Sequence, residues 1–74
     1  MRPDFLVMAD RHVLECRKRI ADQIKRIRAM ERRGDDTMFS RKLLATMKGS
    51  LAVHETHREN ILDLLSRVGP AIHA

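Results

Sequence analysis

The chain is expected to be all-α: an antiparallel two-helix hairpin, coiled-coil-like, that pairs with a second copy into a four-helix bundle. Three observations carry this reading. Gly and Pro together fill five of the 74 positions, leaving long uninterrupted stretches. Gly34-Asp35-Asp36-Thr37 is the one internal cluster of turn formers. On both sides of it, apolar residues recur at the three- and four-residue spacing of a helix face.

A single domain, residues 1–74, accommodates these elements. Pro3-Asp4 opens a first helix over 4–33, since proline suits a helix start and an acidic side chain suits its positive end. The turn occupies 34–37. Gly34 fits the left-handed position after a helix because it has no Cβ to clash, and Asp36 or Asp35 is placed to cap the second helix. That helix is expected over 37–68, with Gly69-Pro70 closing it and a short tail at 69–74. Each helix is about 45 Å long at ~1.5 Å per residue. A four-residue connection makes the two antiparallel neighbours.

The first helix holds a heptad. Leu6, Val13, Ile20 and Ile27 occupy position a, and Ala9, Cys16, Gln23 and Met30 occupy d, with Gln23 the one polar member. Val7, Leu14 and Ala21 at b and Ile24 at e widen the apolar arc to about 160°, more than one partner helix covers. The second helix repeats the spacing through Leu44, Met47, Leu51, His54, Arg58, Ile61, Leu65 and Val68, with a polar break at His54 to Arg58. The expected helix interface is Leu6, Val13, Cys16, Ile20, Ile24 and Ile27 against Leu44, Met47, Leu51, Ile61 and Leu65. Ala45, Gly49 and Ala52 form a strip of small residues beside it, read either as a place of close helix approach or as a tolerated surface glycine. A chain this short, with two Phe and neither Trp nor Tyr, buries little by itself. A homodimer buries the rest of the arc, and two-fold pairing is the commonest closed assembly.

Composition also excludes. One cysteine permits no internal disulfide framework and suits a reducing compartment. The apolar stretch Phe5 to Ala9 is too short for a signal-peptide core or a membrane span, so the expected location is the cytoplasm, with no membrane partner. Gly-rich phosphate loops, Cys-x-x-Cys pairs and Gly-x-Ser-x-Gly turns are missing. The carboxylates stand where they pair with cations, and a narrow bundle is not expected to hold a pocket of several hundred Å3. Catalytic residues and cofactors are therefore not assigned, and the chain is read as non-enzymatic.

Charge is uneven. Residues 1–34 carry ten Lys/Arg against five Asp/Glu, whereas residues 35–74 carry five of each, so the whole net charge of +5 lies in the first part. Arg11, Lys18, Lys25 and Arg32 fall at f, and His12, Arg19, Arg26 and Arg33 at g. This basic face reads first as a solvated helix surface with intrahelical pairs, Glu15 reaching Lys18 and Arg19, and Asp22 reaching Lys25 and Arg26. The alternative is electrostatic binding of nucleic acid, in which such cations displace counterions from phosphates. No aromatic stands among them to stack on bases.

His12 and Cys16 on the first helix, and His54 and His57 on the second, are spaced to share faces, and tetrahedral zinc accepts such donors. With facing residue numbers summing to about 70–71, Cys16 is expected level with His54. Metal binding ranks behind a simpler reading, in which Cys16 packs as a small hydrophobe and His57 or Arg58 pairs with Asp10 across the seam. The motif His54-Glu55-Thr56-His57 lacks the four-residue histidine spacing of the zincins.

The runs Ala9-Asp10-Arg11-His12, Gly34-x-Asp36-Thr37, Leu43-Leu44-x-Thr46 and His54-x-x-His57-Arg58 resemble a family of short, uncharacterised alphaproteobacterial proteins of rhizobial type. The resemblance spans residues 6–65 and departs at Met38-Phe39, where a small residue often follows the threonine. It implies a helical hairpin and a bacterial source, and supplies no activity. The expected role is a self-associating helical interaction module, as a homodimer or docked on another helical protein.

Overall fold

Gly34, with φ 77°, carries the one positive φ among the described residues, and there the chain reverses. The computed structural model describes residues 3–73, with side chains described for 3–68. It contains two helices, α1 (Asp4–Arg33) and α2 (Met38–His73), packed against each other, and no strand among the described residues.

Local chemistry accounts for both ends of the turn. Gly34 N–H donates to the Glu31 carbonyl at 3.0 Å and Asp35 N–H to the Met30 carbonyl at 2.9 Å. These two bonds satisfy carbonyls that the end of α1 would leave open, in the arrangement that favours glycine. At the start of α2, Asp36 Oδ1 accepts from Met38 N–H at 3.0 Å, and Thr37 Oγ1 accepts from Arg41 Nε at 2.9 Å. The other end of α1 has no side-chain cap; Pro3 (φ −59°, ψ 145°) turns its carbonyl to the N–H groups of Leu6 and Val7. Asp4 in the first turn and Arg32 and Arg33 in the last complement the helix dipole.

The second helix does not stop at Gly69-Pro70, where the sequence predicts its end; it runs to His73. Proline removes one helical donor and crowds the preceding turn, yet its φ is that of a helix, so the pair is a weak point rather than an obligatory stop. The side chains of the expected tail lie outside the described residues.

The hairpin measures 63 × 19 × 12 Å. Its smallest dimension is the width of one helix, so each helix has a neighbour on one side and solvent around the rest. Its radius of gyration is 17.6 Å, where a compact chain of this length has about 11 Å. Core burial is correspondingly small. Leu6, Ala9, Val13, Ile27 and Ile61 are buried, and none of the large described side chains is fully enclosed.

All eleven expected interface residues are buried or half-buried. Two further buried residues were not among them: Ala9, packed with Leu6 and Ile61, and Gln23. Gln23 is the single buried polar residue among the described ones, at 4% exposure, and its Nε2 donates to the Ser40 carbonyl across the hairpin at 3.0 Å. The polar break of α2 is filled similarly: Arg58 Nε donates to Asp10 Oδ1, both side chains partly buried. No buried side-chain polar atom among the described residues lacks a partner.

Candidate functional site

In an antiparallel hairpin the e positions of the two helices face each other along one edge and the g positions along the other. The e edge carries the ion pairs that cross the seam. Arg17 meets Glu55 at 3.1 Å and Arg41 meets Glu31 at 3.2 Å, with the Asp10–Arg58 pair beside them. Their residue numbers sum to 72, 72 and 68, close to the register that a four-residue turn requires. Because these side chains reach sideways to pair, they do not fill the space between the helices. An open cleft of about 330 Å3 lies among Asp10, Val13, Leu14, Arg17, Glu55, Arg58 and Glu59. A second of about 150 Å3 lies nearer the turn, between Ile24, Arg28 and Glu31 on α1 and Arg41 and Leu44 on α2. The cleft belongs to the single hairpin, where splayed charged side chains leave it open to solvent.

Apolar side chains remain in water on the same edge. Leu14 is 63% exposed and Val7 39%, with Leu62 opposite at 36%. The g edge has its own, including Phe5 at 54% and Leu64 at 60%, and Met38 and Phe39 stand exposed at the start of α2. Gly49 is exposed too, and a Cβ built on it meets nothing within 4 Å. Close approach of α1 therefore does not account for this glycine.

Arg11, Lys18, Arg19, Lys25, Arg26, Arg32 and Arg33 are all exposed along α1. Arg33 pairs with Asp35 at 3.0 Å beyond the helix end. Among the described residues the other six make no ion pair, so the intrahelical bonds expected from Glu15 and Asp22 do not form. An exposed pair of this kind gains only about 0.3–0.5 kcal/mol and must order two long side chains. What remains is a row of unneutralised cations over about six turns of helix.

The histidines and the thiol gather only in part. His12 and His54 meet with ring centroids 5.2 Å apart and planes inclined at 54°. Cys16, expected opposite His54, is a half-buried free thiol, and the ring contact to His54 across the hairpin is made from position 12. His57 is exposed. Among the described residues no three His, Cys, Asp or Glu side chains converge on a point a metal could occupy. No helix among them is long and apolar enough to cross a membrane. The Gln23 contact had a sequence signal, a lone polar residue at d, but its acceptor is a backbone carbonyl that residue types do not reveal. No family model, curated protein or solved structure matches this chain.

Proposed function

We propose that this chain is a non-enzymatic helical interaction module that self-associates, two hairpins pairing into a four-helix bundle. The observation that supports this best is surface. The hairpin exposes 5969 Å2, whereas a compact monomer of its mass exposes about 4,700 Å2. The excess of roughly 1,300 Å2 exceeds the ~800 Å2 per partner that a stable interface buries, and it includes apolar side chains along both edges. Sedimentation equilibrium tests the reading. The expected species has twice the 8.6 kDa chain mass; a folded monomer at micromolar concentration would end it.

A second reading has a specific observation behind it: the six unneutralised cations of α1. They suit an electrostatic contact with nucleic acid, whose affinity falls steeply with salt as counterions are released. The expected result is a mobility shift with generic duplex or single-stranded DNA at low salt that disappears as salt rises. No shift at about 50 mM salt removes this reading. The two readings are compatible where the paired surface leaves the basic face of α1 in solvent.

A further inference from the structure

The self-association proposed above leaves open which side of the hairpin meets the partner. Both edges carry exposed apolar residues, so hydrophobicity does not choose between them. Charge does. The two clefts of the e edge are lined by four carboxylates and four arginines, three pairs of which are already joined across the seam. A surface that must meet its own copy is best served by such balance, because every cation it presents also finds an anion opposite. The g edge of α1 presents His12, Arg19, Arg26 and Arg33. Two copies meeting there α1 against α1 would set like charges against each other, which opposes association.

We propose that the e edge receives a second copy of this chain, with Leu14 of each hairpin entering the 330 Å3 cleft of the other. The shape supports this placement. Buried Val13 forms the floor. The Asp10–Arg58 and Arg17–Glu55 pairs stand on either side, and Leu14, 63% exposed in the single hairpin, projects from the rim. An apolar knob beside an apolar-floored hole is self-complementary under two-fold symmetry: one copy's knob meets the other's hole, and the reverse contact is made at the same time. Val7 and Leu62 extend the apolar surface towards the open end of the hairpin, and Ile24 towards the turn. The g positions of each α1 then lie outside the bundle, with Arg11 and Lys18 at the rim of the interface beside Leu14.

Sedimentation equilibrium of the full chain and two variants tests the assignment. Leu14→Glu places a carboxylate twice in the interface and is expected to weaken dimerisation at least a hundredfold, with helicity by circular dichroism retained at high chain concentration, because residue 14 is exposed in the hairpin, and falling on dilution as pairing is lost. Leu64→Glu, on the g edge, is expected to change it less than threefold. The opposite ranking overturns the assignment while leaving self-association standing; a monomeric wild-type chain removes both. If Leu14→Glu loses helicity as well, spin labels decide. Placed at Leu14→Cys in a Cys16→Ser background, they are expected to lie closer to their counterparts across the dimer than labels at Leu64→Cys. The reverse order overturns the proposal.

Discussion

Gln23 offers the most quantitative test of how the seam is built. Its side chain is 4% exposed, and its one cross-hairpin hydrogen bond goes to a backbone carbonyl in the first turn of α2. Truncation to alanine removes that bond, worth about 1 kcal/mol net, and one buried methylene at about 0.8 kcal/mol. Alanine's better helix propensity returns a few tenths of a kcal/mol, so the expected loss is about 1.5 kcal/mol. Replacement by leucine behaves differently. The Ser40 carbonyl keeps its helical donor, so no buried group is orphaned, and added apolar burial of about 2 kcal/mol offsets the lost bond. Gln23→Leu is therefore expected within about 1 kcal/mol of the parent or above it. Urea unfolding at one fixed chain concentration reads both, with the alanine variant's midpoint about 1–2 M lower. If alanine is neutral, or leucine costs as much as alanine, the reasoning fails. The second outcome would mean that the amide contributes beyond its pairwise bond, for instance by setting helix register.

Three further outcomes rest on particular residues. Gly49→Ala should stabilise the chain by about 1 kcal/mol, because the site is helical and a Cβ meets nothing there; thermal unfolding that instead shows a loss would place Gly49 against a partner helix. Gly34→Ala should cost about 1–2 kcal/mol from backbone strain alone, since φ is 77° and the space around it is open. Denaturant curves showing no loss would contradict the left-handed turn. A double-mutant cycle on Asp10 and Arg58, 21% and 38% exposed, should give a coupling of about 1–2 kcal/mol. The same cycle on the more exposed Arg17 and Glu55 should give less than about 1 kcal/mol, and an inverted order would mean that Arg58 does not bridge the polar break of α2.

Much of the hairpin was legible in the residues because its signals are local. Gly34 and Asp36 mark a turn by their own conformational chemistry, and heptad spacing places Leu6, Val13, Ile27 and Ile61 on the seam without knowledge of the facing helix. Ala9 and Gln23 show where that logic thins. Both sit at d, yet a methyl and an amide contribute little apolar area, so their near-complete burial depends on what faces them. The ion pairs of the e edge depend on side-chain reach across the seam. Asp10 with Arg58 was among the expected pairs, whereas Glu15 and Asp22 leave their intrahelical neighbours unpaired. Pro70 illustrates the remaining limit: a proline's preference is weaker than a helix already propagating through about thirty residues before it. The edge clefts had no sequence signal, since they arise from where charged side chains point once paired.

The central claim is that two long helices, together one helix-width thick, complete their burial against a second copy. The most direct measurement is the unfolding midpoint as chain concentration is varied over about two orders of magnitude. Because folding and pairing are coupled in such an assembly, the midpoint is predicted to rise steadily with concentration. A sharp, cooperative transition at the same midpoint throughout would contradict the claim, since the hairpin would then stand alone.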